Sequence, residues 1–190
     1  MASTVQYDPE KFQELLLYIA DRMGDDPSFG ATVLNKALFF SDFLAYRTLG
    51  HSITGAEYQK LEYGPAPRSL LREQQALIDS GRAVLQSRNR WGRIQRRLVV
   101  LDQPRIDGVF KPSEIELVDR VIEMLRGHSA TAVSQFSHAV SVGWRAADVY
   151  ETIPYGTAFL SPPAQPTPRQ IRRARELVGE RDSGELQPSS

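Results

Sequence analysis

The chain has 190 residues, with 23 basic and 23 acidic side chains and no cysteine. That length suits one domain with a real hydrophobic core, and the cancelled charge leaves no overall field drawing it toward nucleic acid or a membrane surface, so any such attraction must come from local patches. Lack of cysteine excludes disulfides, cysteine-ligated zinc and thiol catalysis, and fits a cytoplasmic protein.

Residues 1–8 lack the basic start and apolar run of a secretory signal. The most apolar window, 33–49, is interrupted by Lys36, Asp42 and Arg47, each costly at a bilayer centre, which favours a core helix over a membrane span. Asp8 and Pro9 suit an N-cap and a first helical position. Behind them Phe12, Leu15, Leu16, Ile19, Ala20 and Met23 recur at helical spacing, predicting an amphipathic first helix that ends near Gly24. The second helix, 32–49, is apolar on nearly all sides; other elements should surround it, and Gly50 supplies a left-handed stop.

Residues 53–62 read as a short strand or extended segment, which Tyr63-Gly64-Pro65 must turn. Pro67 is expected to open a third helix with Leu70, Leu71, Gln74, Leu77 and Ile78 inward and Gly81 at its end. Residues 83–86 and 94–101 then predict a β-hairpin, with Ile94, Leu98 and Val100 on one face and a turn over 88–92.

Ser113 and Glu116 predict a capping box on a fourth helix, with Pro112 and Leu117 as its staple. Its buried stripe should be Ile115, Val118, Val121, Ile122 and Leu125, and Gly127 should close it. Ser129 caps a fifth helix with Ala130, Val133, Phe136 and Val140 inward, and a short sixth piece follows over 144–150. Four prolines within 161–168 predict an extended linker, followed by a short helix at 170–178 and a polar, disordered end. The expected fold is therefore mainly α with a small β element: a compact helical domain over 1–160 around a central apolar helix, with one β-hairpin, and a proline-rich linker and tail over 161–190.

The three histidines, His51, His128 and His138, form no i, i+4 pair and no His-Glu-x-x-His helix, so no metal is expected. There is no nucleophile elbow and no Gly-x-x-x-x-Gly-Lys phosphate loop, so neither catalytic nor cofactor-binding residues are assigned and the chain is not read as an enzyme. His138 follows Ser137 at a helix end, where a neutral imidazole can join a polar network or an interface.

On the second helix Asn35, Asp42 and Tyr46 share one stripe, and Lys36 and Arg47 lie on the next. A buried charge without a partner costs several kcal/mol, so Lys36 and Asp42 must either meet partners inside the domain or open onto a groove. The hairpin region carries Arg82, Arg88, Arg90, Arg93, Arg96, Arg97 and Arg105 against Asp102 alone. A helix followed by such a hairpin, with Trp91 near its tip, is similar to a winged helix and could meet nucleic acid or an acidic partner. However, the third helix mixes Glu73 and Asp79 with Arg68 and Arg72 and shows no recognition face. Trp91 is either a binding anchor or a ring that packs back on the sheet.

The run Leu34-Asn35-Lys36-Ala37-Leu38-Phe39-Phe40-Ser41-Asp42, then Gly50-His51-Ser52-Ile53-Thr54-Gly55 and Tyr63-Gly64-Pro65-Ala66-Pro67, resembles the core motif of the Panacea domain, the SocA-like antitoxin domain. Ser129-Ala130, Ser137-His138, Gly143-Trp144 and Ile153-Pro154-Tyr155 resemble that family's later landmarks in the same order. The resemblance covers about residues 10–158 and rests on the ordered set, since no one motif is specific. It implies a mostly helical antitoxin domain of toxin–antitoxin gene pairs and prophages that neutralises a cognate toxin, usually by direct binding. One branch instead delivers its toxin to an AAA+ protease.

By position the family motif falls on Leu34, Lys36, Leu38, Phe40, Asp42, Gly55, Tyr63, Gly64, Pro65, His138 and Trp144. Together with the hairpin this makes Lys36, Asp42, Tyr63, Gly64, Pro65, Arg90, Trp91, His138 and Trp144 the candidate partner-binding residues. The expected site is a groove beside the second helix and the Tyr63-Gly64-Pro65 corner. The loop 89–93 and the tail after Ser161 have no counterpart in the family pattern.

Overall fold

The computed structural model describes residues 5–90, 92–162 and 172. Helix α1, Pro9–Arg22, starts where the Asp8 carboxylate accepts the Lys11 N–H at 3.0 Å, satisfying one of the donors that a helix start leaves free. It buries Phe12, Leu15, Leu16, Leu17, Ile19 and Ala20, side chains of which each large one contributes about 1.5–3 kcal/mol when withdrawn from water. Helix α2, Ala31–Leu49, ends at Gly50 with φ 78°, a left-handed turn that a side chain would strain. It packs against α1, three further helical segments and both hairpins, as a helix that is apolar all round requires.

Strand β1, Tyr58–Leu61, and strand β2, Gly64–Pro67, pair antiparallel around Glu62 and Tyr63, with Tyr58 opposite Pro67 and Leu61 opposite Gly64. This hairpin corrects two expectations: the fold has two small two-stranded sheets instead of one hairpin, and Pro67 ends a strand instead of opening a helix. Two prolines fit in a four-residue strand because of how β1 turns its polar groups. Lys60 donates its N–H to Glu151 O at 3.0 Å and accepts from Tyr150 N at 2.9 Å, while Tyr58 O accepts from Ile153 N at 2.8 Å. Pro65 and Pro67 face these two residues, so the N–H groups they lack are not missed by the ladder.

Helix α3, Leu70–Asp79, buries Leu70, Glu73, Gln74 and Leu77. Leu71, predicted inward, is 77% exposed, because the buried stripe centres on 70, 73, 74 and 77 and position 71 falls off its edge. Strands β3, Ala83–Arg90, and β4, Arg93–Val100, form the second hairpin, in register from Ala83 opposite Val100 to Arg90 opposite Arg93. Strand β3 is longer than the predicted 83–86, since its polar residues continue the ladder into solvent, while β4 keeps the predicted length and is shifted by one residue. Leu98 is buried, but Ile94, expected on the same inward face, lies toward the tip and stays 75% exposed.

Helix α4, Pro112–Leu125, buries Leu117, Val118, Val121, Ile122 and Leu125. Its capping contact comes from a different pair than expected: Glu114, not Glu116, reaches back to accept the Lys111 N–H at 2.8 Å. Ser129 Oγ caps helix α5, Ala130–Val140, by accepting the Ala132 N–H at 3.2 Å. The buried side of α5 is Val133, Ser134 and Ser137, so Ala130, Phe136 and Val140, predicted inward, face solvent. The face sinks two serines because Ser134 Oγ bonds the first hairpin's backbone at Tyr63 O, while Ser137 packs close to Gly64 and donates its hydroxyl back to Ser134 O at 2.8 Å. Helix α6, Val142–Ala146, is shorter and earlier than the predicted sixth piece and precedes a 3-10 turn, Tyr155–Phe159. The predicted linker and tail helix lie outside the described residues, save Ser161, Pro162 and Arg172.

No described helix is long and apolar enough to cross a membrane.

Candidate functional site

The Tyr63-Gly64-Pro65 corner is held from both sides. Ser134 Oγ of α5 donates to Tyr63 O at 3.0 Å, and the Trp144 indole N–H of α6 donates to Leu61 O at 3.1 Å. Gly64 sits between them at φ 107°, and a Cβ there would stand 2.7 Å from both Lys36 Cε and Ser137 Oγ and 2.9 Å from Lys36 Nζ. Only glycine lets the corner lie this close to α2 and α5. Pro65 is buried beside it, whereas the Tyr63 side chain is 67% exposed.

Asp42 and Lys36 lie on the same helix and have opposite fates. The Asp42 carboxylate is fully buried and accepts the Thr54 N–H at 2.8 Å, the Thr54 hydroxyl at 2.6 Å and the Tyr58 hydroxyl at 2.7 Å. Burial pushes its carboxyl above the usual carboxylate value despite those three bonds. Lys36 is 2% exposed and has no hydrogen bond or ion pair among the described residues. Burial alone pushes its ammonium down to about 8, as expected for a cation withdrawn from water without a counter-ion. Of the two outcomes open to these residues, Asp42 takes the internal partners.

His138 lies flat on Trp144, ring centroids 3.8 Å apart and planes 3° from parallel. On Trp144 also rests Lys60, its ammonium 4.7 Å from the ring and donating to Ala147 O at 2.8 Å. Burial, then the cations Lys36 and Lys60, push the His138 imidazole below its ordinary value. Its Nε2 is buried with no partner among the described residues. The structure thus brings Lys36, Tyr63, Gly64, Pro65, His138 and Trp144 into one neighbourhood and places Asp42 behind it, in the core. Arg90 closes the far end of the second hairpin opposite Arg93, and Trp91 lies outside the described residues.

The basic surface is smaller than the arginine count suggests. Arg82 forks onto Glu14 at 2.6 and 3.1 Å, and Arg105 reaches the same carboxylate at 2.8 Å. Burial alone would raise the Glu14 carboxyl; the two guanidinium groups hold it below the usual range. Arg97 donates to Gly24 O at 2.6 Å and lies over Phe29. Glu14, Glu73 and Glu114 are buried carboxylates that sequence reasoning missed. Glu73 accepts from Tyr7 and Gln13, and Glu114 from Lys11 at 2.8 Å. Glu14 and Glu114 share one visible signal, a glutamate embedded beside an apolar stripe.

Between the start of α2, the Tyr63 corner, β4 and α5 runs a groove of about 1330 Å³. Residues 30–33, Tyr63, 94–96, 129–131, Ser134 and His138 line it. This groove lies beside α2 and the Tyr63 corner and is walled on the far side by β4. Among the described residues no group of histidine, cysteine, aspartate or glutamate is arranged to hold a metal ion.

A family model described as antitoxin SocA-like, Panacea domain, matches residues 34–145, from the first turns of α2 into α6. No curated protein and no solved structure matches the chain.

Proposed function

The chain belongs to the SocA-like Panacea antitoxin family, and from that premise we propose that it neutralises a cognate toxin by direct protein–protein binding, with the groove beside α2 as the contact surface. The observation that carries this reading is the placement of family-motif residues. Lys36, Gly64, Pro65 and Trp144 form the support of the groove wall, while Tyr63 and His138 reach its lining. Exposed Tyr63 and Ile94, 67% and 75% accessible, supply large side chains of the kind that anchor protein interfaces. The wall is rigid, since Ser134 and Trp144 clamp the corner's carbonyls, and a preformed surface loses little freedom on binding. Such a protein acts as a binder, without chemistry of its own.

Co-expression with the product of the adjacent gene tests the reading. Growth should be rescued while the toxin accumulates in a stoichiometric complex. Persisting toxicity beside soluble protein would sink it, and rescue with loss of the toxin itself would replace sequestration by delivery to a protease.

A further inference from the structure

The groove contains no carboxylate among its described lining residues, and Arg96 is its one lining side chain with a fixed charge. Two helix starts open onto it. At α2 the cap is Gly30, which offers no side-chain acceptor, and the first turn holds no acidic residue. Leu34 bonds back to Gly30 O, but the N–H groups of Ala31, Thr32 and Val33 meet no acceptor among the described residues. At α5 Ser129 satisfies only the Ala132 N–H, and the first turn again holds no acid. Each helix start presents the equivalent of roughly half a positive charge.

Behind the same wall lies the Lys36 ammonium, against Gly64 and Ser137, whose chain neighbours Tyr63 and His138 line the groove. A cation buried in low dielectric projects its field further than an exposed one. Two acids lie close in sequence to the lining: Glu62, exposed next to Tyr63 but not itself part of the lining, and Asp26, whose two oxygens accept the Ser28 and Gly127 N–H groups, both at 2.7 Å. The groove is thus positive by backbone, Arg96 and buried lysine together, and its rim is apolar at Tyr63 and Ile94.

We propose that this groove captures an acidic segment of the toxin, a stretch bearing Asp or Glu whose carboxylates meet the two helix starts and Arg96 while an apolar neighbour seats against Tyr63 and Ile94. This rests on the antitoxin reading and adds the chemistry of the partner. A nucleic-acid strand fits less well. It needs a row of cations at phosphate spacing, whereas Arg82, Arg97 and Arg105 of the neighbouring hairpin region are spent on internal partners.

The test places a competing carboxylate in the groove. Ala31→Glu and Thr131→Glu alter exposed positions and put an acid where it favours the helix it starts. Thermal stability should hold or rise while toxin affinity falls by about tenfold or more; Arg96→Glu should do the same. Arg120→Glu, an equal charge change on the outer face of α4, should leave affinity unchanged. Toxin capture by Ala31→Glu as tight as wild type would overturn the proposal and leave the antitoxin reading standing.

A second arm needs no toxin. A synthetic peptide alternating Glu and Leu, titrated into the isotope-labelled full chain, should shift the amide signals of Ala31, Thr131 and His138, and the shifts should vanish in Ala31→Glu. Shifts elsewhere, no shifts at millimolar peptide, or equal displacement by an oligonucleotide would overturn it. Peptide binding with no capture of the neighbouring gene's product would instead remove the antitoxin reading while the groove's chemistry stands.

Discussion

The Lys36 ammonium and the backbone of Gly64 occupy adjoining space: a Cβ on Gly64 would stand 2.9 Å from Nζ, and the lysine meets no counter-ion there. The pair joins the central helix to the tyrosine corner without a covalent or ionic link, through close packing alone.

Gly64→Ala should therefore be costly on two counts. At φ 107° the new side chain is strained, and its Cβ meets Lys36 Cε and Ser137 Oγ at 2.7 Å. Strain and overpacking together predict a loss of about 2–4 kcal/mol, read as a lower urea midpoint at unchanged slope. A neutral result would mean that the corner can shift away from α2.

Lys36→Met should move stability the other way. The ammonium is pushed from 10.5 down to about 8 in the folded chain, so below pH 8 it is charged in both states and its burial costs about 3 kcal/mol. Wild-type stability should rise with pH between about 8 and 10.5 as the folded amine sheds its proton first. The methionine variant should be more stable at pH 7, and the gap should close across that window. If the lysine serves the groove, the same variant should bind toxin more weakly. Equal urea midpoints at pH 7 would show that the ammonium is better solvated than its burial implies.

Asp42 calls for a paired comparison. Asp42→Leu strands the Thr54 N–H and two hydroxyls in the core and should cost about 2–4 kcal/mol. Asp42→Asn keeps an acceptor for the Thr54 N–H, and the hydroxyls can rotate to accept, so most stability should remain. The folded carboxyl is raised, so its contribution is present below the ordinary carboxylate value and is lost as pH rises through the folded one. The asparagine variant should lack that decline in denaturation curves taken from pH 4 to 7. A decline identical to wild type would assign it to other groups.

His138 titrates with the opposite sign. Its imidazole is pushed below the ordinary 6.5 by burial and by Lys36 and Lys60, so its contribution is present above pH 6.5 and is lost as pH falls through the folded value. His138→Gln should flatten the acid limb of the stability curve. Trp144→Leu removes both the stacked ring and the hydrogen bond to Leu61 O and should cost about 1–3 kcal/mol. It should also move the His138 titration midpoint up toward its ordinary value, though not all the way, since Lys36 and Lys60 stay in place. An unmoved midpoint would show that Trp144 does not shield the imidazole.

Much of the architecture was legible in local chemistry. Asp8 with Pro9, the left-handed Gly50 and the period of the α1 and α4 stripes are signals carried within a few residues, and α1, α2 and α4 stand within a residue or two of where they were predicted. The misread elements share one cause. Pro65 and Pro67 argue against a strand until residues 150–153 are laid beside β1 and take its N–H and C=O groups. Phe136 and Val140 look like the inward side of α5 until Ser134 is needed to hold Tyr63 O. In both cases a partner more than 60 residues away decided what the local pattern could not.

The candidate site divides along the same line. By itself the sequence determined that a charged pair, Lys36 and Asp42, sits on a helix that must be buried, because hydrophobic periodicity depends only on neighbours in the chain. Only the tertiary structure decided that Asp42 finds Thr54 and Tyr58 while Lys36 finds none, and that two helix starts far apart in sequence open on one groove. Hydrogen bonds and electrostatic fields act through distances in space, and those are settled only when the chain has closed on itself.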